Sequence, residues 1–351
     1  MRPMLAVSIG CPAGIGPEIS LRAAIEHRRD ADVVLVGDLA LLRTRGDIVG
    51  SPASLVAVSD ANEARSLPPR AIGVLSAAPP LSQDASRPGV ATPEGGAAQL
   101  AWIDAACDLV ARGDADALVT GPASKAAVAS SGAPGAATFL GHTEHLGARL
   151  GGVETVMCFW AQTLTISLAT THLPLRAVAQ SLRAEDVARA TYWTARLMDE
   201  LDVDPTLAIA VLSLNPHAGE SGLLGDEERT VLDPGIALAR ERLAAEGRTR
   251  AIAGPVPAES AIRRTVHEHA YAACVAMYHD QATIPSKLVA FGDAVNVTLG
   301  MPIIRTSVDH GTAYDLAGTG RADARGMKAA MELATRLARK RGYQSTFSGA
   351  R

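Results

Sequence analysis

The feature that most constrains this chain is an alternation. Short apolar runs rich in Val, Ile and Leu take turns with longer stretches of helical periodicity. The strand-like runs are 5–9, 33–37, 72–75, 117–120, 156–160, 164–169, 207–212, 273–277 and 295–299. The helical stretches include 17–26, 94–111, 184–201, 227–246 and 322–341. Parallel neighbours in a sheet need a crossover helix, so this order implies an α/β fold with largely parallel strands. The runs 156–160 and 164–169 are separated only by Ala161-Gln162-Thr163. That spacing predicts a hairpin, and with it a mixed sheet. Segments 77–96 and 130–137, rich in Gly, Pro and Ser, read as surface loops, and 340–351 as a frayed tail.

Composition narrows the class. At 351 residues and 48% hydrophobic, the chain is long enough for two cores, built from aliphatic residues because aromatics are only 3%. A net charge of −4 gives no basic footprint for nucleic acid. No apolar run reaches the roughly 18 residues of a membrane span. Met1-Arg2-Pro3-Met4 leads straight into a strand-like run, with no signal-peptide pattern. The four cysteines, Cys11, Cys107, Cys158 and Cys274, form no CxxC pair. A cytoplasmic protein is the expectation.

In open α/β sheets, ligands bind beyond the carboxyl ends of the strands, so the residues following each strand matter most. After 5–9 comes "GCPAGIGPEIS", where Gly14 and Gly16 precede a helix start at Pro17. This is either an anion site at a helix N-terminus or an ordinary strand-to-helix turn. After 117–120 comes "GPASK" with Lys125. Three further strand ends carry a histidine: His172 in "TTHLPL", His217 in "LNPHAGESG" and His279 in "MYHDQ". A single histidine there is usually a surface or capping residue. Three together fit a divalent metal with one position left open for substrate. Asp280 can then be a further ligand, a partner orienting His279, or a base. "GHTEH" places His142 and Thr143 at a helix start. Lys287, Asn296 and Arg305 suggest an anionic small molecule, since arginine grips phosphate or carboxylate in bidentate fashion. Asp309, His310, Gly311, Asp315 and Gly318 crowd a loop that can wrap an adenine and ribose.

The segments "GCPAGIGPE", "TGPASK", "GHTEHLG", "TTHLPL", "LNPHAGESGLLGDEE", "GPVPAES", "AMYHDQATIPSKL" and "VNVTLGMPIIRTSVDHGTAYDLAGTGRAD" resemble, in order, the 4-hydroxythreonine-4-phosphate dehydrogenases of pyridoxal phosphate biosynthesis. Relatives of that family act on 4-phospho-D-threonate or 4-phospho-D-erythronate. The resemblance implies a fold similar to isocitrate and isopropylmalate dehydrogenases, with two α/β domains around a cleft. The implied domains are 1–140 plus 300–351 on the nucleotide side and 141–299 for metal and dimerisation. It implies a homodimer with shared active sites, NAD or NADP, and one divalent ion per site (Zn, Mg, Co or Mn). His172, His217 and His279 match the metal ligands. His142, Thr143, Lys287, Asn296 and Arg305 match the substrate-binding residues. Gly14, Gly16, His310, Gly311 and Asp315 fall to the cofactor, and Asp280, Lys287 and His142 are candidates for the catalytic proton acceptor. The implied reaction oxidises the secondary alcohol of 4-(phosphooxy)-threonine, and decarboxylation of the β-keto acid gives 3-amino-2-oxopropyl phosphate. The alternatives are a phosphothreonate or phosphoerythronate dehydrogenase, a cyclic dihydrodiol carboxylate dehydrogenase, and an inactive phosphate- or sugar-acid-binding protein. Cys11, Glu259 and Ala282 depart from the family pattern, which leaves the particular substrate open.

Overall fold

The computed structural model describes residues 2–348, with side chains as far as Arg341. The chain divides into two compact units, Met1–Val153 with Met301–Arg351, and Glu154–Gly300. The first unit begins with strands β1 (Met4–Ser8), β2 (Asp32–Val36), β3 (Ser54–Val58), β4 (Ala71–Leu75) and β5 (Ala117–Thr120). Its helices are α1 (Gly16–His27), α2 (Leu39–Ile48), α3 (Ala61–Arg65), α4 (Pro93–Ala111), α5 (Lys125–Ser130) and α6 (His142–Arg149). The second unit holds β6 (Val156–Trp160), β7 (Ile166–Leu168), β8 (Ala208–Leu212), β9 (Ile252–Val256), β10 (Tyr271–Ala276) and β11 (Val295–Leu299). Its helices are α7 (Leu175–Ser181), α8 (Ala184–Glu200), α9 (Asp233–Ala245), α10 (Ala258–Glu268) and α11 (His279–Val289). The chain then returns to the first unit with β12 (Arg305–Val308) and α12 (Arg325–Ser348).

In the first unit the strands run β3-β4-β2-β1-β5-β12, and every pairing is parallel. The central strands β1, β5 and β12 are buried along their whole length, as parallel strands covered on both faces must be. In the second unit the order is β11-β6-β7-β10-β8-β9. Here β11–β6 and β6–β7 are antiparallel, and the remaining pairs are parallel. The hairpin read from Ala161-Gln162-Thr163 is the β6–β7 turn. Its strands pack Met157, Phe159, Ile166 and Leu168 into a core with Leu212, Cys274 and Ala276.

Three strands escaped the pattern reading. β3 is half exposed. β9 contains Gly254-Pro255, which reads as a turn. β12 is "RTSV", a buried strand with almost no apolar signal. Its side chains are satisfied instead by hydrogen bonds, Thr306 Oγ1 to the Ala330 carbonyl at 2.9 Å and Ser307 Oγ to the Thr120 carbonyl at 3.1 Å. The helix expected over 227–246 is in two parts, a π-turn at Glu228–Leu232 and then α9 with proline in its first turn. The tail expected to fray is helical to Ser348, and 349–351 lie outside the described residues. Residues 141–153 group with the first unit rather than the second, because α6 is pinned to α4. His145 Nε2 lies 2.6 Å from Asp104 Oδ1, and Arg149 donates to Asp108 at 2.7 and 2.9 Å. No helix among the described residues is long and apolar enough to cross a membrane.

Candidate active site

In the first unit, β1, β5 and β12 are parallel neighbours, so the loops after them emerge at one end of the sheet. These loops are bonded to one another. The Cys11 amide donates to the Pro122 carbonyl at 2.8 Å, and the Ile15 amide donates to the Thr312 carbonyl at 2.9 Å. Cys11 Sγ lies 3.7 Å from the Tyr314 hydroxyl, and burial raises its thiol pKa. Gly14 and Gly16 are explained by this packing. A Cβ on Gly14 would stand 2.7 Å from the Thr312 carbonyl oxygen, and one on Gly16 2.2 Å from that of Ile9. The start of α1 is buried, and its Ile15 amide is bonded to the loop that carries Thr312. His310, Gly311 and Asp315 are exposed. Glu18, fully buried in the first turn of α1, accepts the Gly318 amide at 2.6 Å and the Gly320 amide at 3.2 Å. Arg22 donates to the Gly320 and Ala322 carbonyls. Neither Glu18 nor Arg22 stood out in the sequence, yet together they fasten the loop carrying His310 and Asp315.

The same unit holds a cationic cluster. Arg305, the first residue of β12, is 2% exposed and donates from Nη2 to Thr120 Oγ1 at 2.7 Å. Burial lowers its pKa to about 10, with Glu144 opposing that shift, so the guanidinium stays charged at neutral pH. His142, at the start of α6, has a buried Nε2 with no hydrogen-bond partner among the described residues. Burial, then the charges of Arg305, His145 and Lys125, hold its pKa well below 6.5. The imidazole is therefore neutral, and it presents an unused polar nitrogen beside fixed positive charge. A Cβ on Gly141 would stand 2.9 Å from Glu144 Oε2 and 3.5 Å from Lys125 Nζ, so the Gly141 backbone lies close to both of these charged side chains. This arrangement suits an anion that supplies an acceptor or hydroxyl to His142.

In the second unit, the rings of His172 and His279 stand 5.5 Å apart. His279 opens α11, and its Nδ1 lies 2.8 Å from Asp280 Oδ1. A carboxylate on Nδ1 orients the ring and leaves Nε2 for a ligand. Gln281 ties the two strand ends together. Its Oε1 accepts the Met277 amide at 2.7 Å, and its Nε2 donates to the Ser213 carbonyl at 2.8 Å. His217 does not join the other two histidines within one chain. Among the described residues no three His, Cys, Asp or Glu side chains gather closely enough to hold a metal ion. His217 instead opens a left-handed turn, with φ of 51°, 53°, 76°, 42° and 58° at residues 217–221. For residues other than glycine this conformation costs about 1–2 kcal/mol each. Lys287 is exposed on α11. Asn296 on β11 has a buried Oδ1 with no hydrogen-bond partner among the described residues. The two units thus divide the expected substrate residues, with His142, Thr143 and Arg305 in the first and Lys287 and Asn296 in the second.

The family model described as pyridoxal phosphate biosynthetic protein PdxA matches residues 29–334. The chain belongs to the PdxA family. It is 41% identical over 339 residues to a 4-hydroxythreonine-4-phosphate dehydrogenase of Acidithiobacillus ferrooxidans, covering 97% of each chain. Its structure is similar to a crystal structure of 4-hydroxythreonine-4-phosphate dehydrogenase from Klebsiella pneumoniae. The TM-score is 0.79 at 34% identity, over 96% of this chain and 100% of that one. A weaker likeness, with TM-score 0.66 and 27% identity over 96% of this chain and 98% of that one, is to a terephthalate 1,2-cis-dihydrodiol dehydrogenase from Burkholderia xenovorans.

Within this PdxA-family chain, the three departures noted in the sequence are locally accommodated. Ala282 is fully buried in the core of the second unit. Glu259 is exposed in the first turn of α10, where a carboxylate is favourable. Cys11 packs against Tyr314. The residues that sequence reasoning missed are mostly holders of other residues: His145, Glu18, Gln281 and Glu228. All four lie inside quoted motifs; the partners of His145, Glu18 and Gln281 include residues 41 to 300 positions away, while those of Glu228 lie in its own motif.

Proposed function

We propose that this chain is a 4-hydroxythreonine-4-phosphate dehydrogenase, an oxidoreductase that passes hydride from the substrate's secondary alcohol to NAD or NADP. The observation that carries this reading is 41% identity extending over 97% of the chain. Loss of carbon dioxide from the resulting β-keto acid gives 3-amino-2-oxopropyl phosphate. Arg305 and Lys287 supply two cations for the substrate's anionic groups, more than a lone carboxylate needs. His142, Thr143 and Asn296 supply directional hydrogen bonds. A neutral His142 orients an oxygen without adding charge. Asp280, Lys287 and His142 are the candidates to take the alcohol proton. His310, Gly311 and Asp315 contact the nucleotide. Gly14 and Gly16 act behind them by shaping the loop.

His172, His217 and His279 are the residues to hold a divalent ion (Zn, Mg, Co or Mn). The paired rings of His172 and His279 and the carboxylate on His279 Nδ1 fit such an ion. When bound, it supplies Lewis-acid polarisation of the substrate oxygens. In this reading His217 completes the set across a homodimer with shared sites. Exposed apolar side chains on and just after α11, Ile284, Leu288 and Phe291, support such an assembly. The four cysteines are unpaired and buried, which fits a reducing cytoplasm.

The deciding experiment is a turnover screen. Phosphorylated threonine, threonate and erythronate analogues and a cyclic dihydrodiol carboxylate are each offered with NAD and NADP and added divalent ions. Reduction of the nicotinamide with 4-(phosphooxy)-threonine preferred supports the assignment. Preference for the dihydrodiol, or equal turnover of the dephosphorylated analogue, would overturn it.

A further inference from the structure

His217 sits on backbone that left-handed geometry disfavours, so something nearby must hold it there. Glu228 is the residue placed to do so. Its side chain is buried at the start of the π-turn Glu228–Leu232. Oε1 accepts the Leu214 amide at 2.9 Å and the Asn215 amide at 2.7 Å, and Oε2 accepts Asn215 Nδ2 at 3.0 Å. Glu227 Oε2 takes Asn215 Nδ2 as well, at 2.7 Å. On the far side of His217, a Cβ on Gly219 would stand 2.8 Å from Glu228 Oε2. One buried carboxylate therefore grips the chain two residues before His217 and lies against the backbone two residues after it. We infer that Glu228 is a positioning residue for His217, with Asn215 as the bridge, and that it sets metal affinity without touching metal or substrate. This rests on the reading of His217 as a ligand.

The geometry dictates what each variant does. Glu228→Gln keeps one oxygen for the two backbone amides but turns an N–H toward Asn215 Nδ2, setting donor against donor. Asn215→Ala removes the bridge and leaves the backbone bonds in place. Both loosen the turn while keeping His217. Partners that orient a metal ligand typically govern a factor of about 10–100 in affinity.

The test is zinc titration of the metal-stripped, full-length protein by competition with a chelator. It is run at a temperature where circular dichroism shows wild type and variants fully folded. His217→Ala is the control for the ligand reading and is expected to weaken zinc by at least about 100-fold. Glu228→Gln is expected to weaken it about 10–100-fold, and Asn215→Ala by about 10-fold. With excess zinc, the substrate KM of Glu228→Gln should return toward that of wild type. A role limited to fold stability would lower the melting temperature and leave zinc affinity unchanged. Zinc affinities of Glu228→Gln and Asn215→Ala within about twofold of wild type, with His217→Ala impaired, would overturn the positioning role alone. Undiminished affinity in His217→Ala would overturn the ligand reading, and this inference with it. If Glu228→Gln does not fold, Asn215→Ala decides by the same criterion.

Discussion

Arg305 and His142 divide one electrostatic task. The guanidinium keeps its charge under burial, while the imidazole gives its charge up. Arg305→Lys keeps a cation but loses the planar fork, so kcat/KM for the phosphorylated substrate is expected to fall by about 10–100-fold. Steady-state kinetics on the phosphorylated substrate and its dephosphorylated analogue check this, since the analogue should lose much less. The depressed pKa of His142 also has a sign for stability. The folded protein binds this proton less readily than the unfolded chain does. The stability it contributes is therefore present above about pH 6.5 and is lost as pH falls through the folded value. His27, buried and likewise depressed, adds a slope of the same sign. Urea midpoints are expected to drop between about pH 7.5 and about pH 5, and His142→Gln should flatten part of that drop. At this scale the sequence was informative where a residue contradicted its surroundings. Arg305 after Pro302-Ile303-Ile304 and Asn296 within an apolar strand were both legible. Glu18 and Glu228 were not, because a glutamate reads as a solvated surface charge until the fold buries it.

Gln281 is the corresponding device between elements. It spans from the end of β10 to the segment after β8, and so sets where His279 begins its helix. Gln281→Leu would leave the Met277 amide and the Ser213 carbonyl without these partners. A loss of about 1–3 kcal/mol in unfolding free energy is expected by denaturant titration. The alternating pattern revealed most of the elements, and the β6–β7 hairpin followed from a three-residue gap. What stayed hidden had physical causes. β12 is held by side-chain hydrogen bonds rather than apolar burial, so its sequence carries no hydrophobic signature. α11 tolerates Pro285 in its interior, where a sequence reading stops a helix. The left-handed turn after His217 depends on Glu228, whose grip on it nothing nearby in the sequence announces.

At the scale of the whole molecule, the shared sites proposed above would make assembly a condition of activity. Leu288→Lys places a charge among the exposed apolar residues of α11. It is expected to shift sedimentation from dimer to monomer and to lower turnover in parallel. Co-expressed His217→Ala and His279→Ala chains should recover part of the activity that each lacks alone, because a mixed dimer can still build one intact site. A fully active monomer at nanomolar concentration would refute shared sites. The order of the chain has a further consequence for biosynthesis. Domains generally fold as units while the chain leaves the ribosome. The second unit, Glu154–Gly300, is contiguous and has emerged in full before β12 is translated. The first unit has to wait for it. Until Arg305–Val308 arrives, β5 offers an unpaired strand edge, which is a hazard for a nascent chain. The strand that covers this edge is also the one that delivers Arg305. A polypeptide released early therefore carries an open edge and lacks the Arg305 guanidinium proposed for the substrate, so a prematurely terminated product is expected to be inactive and prone to aggregation rather than a partly functional enzyme.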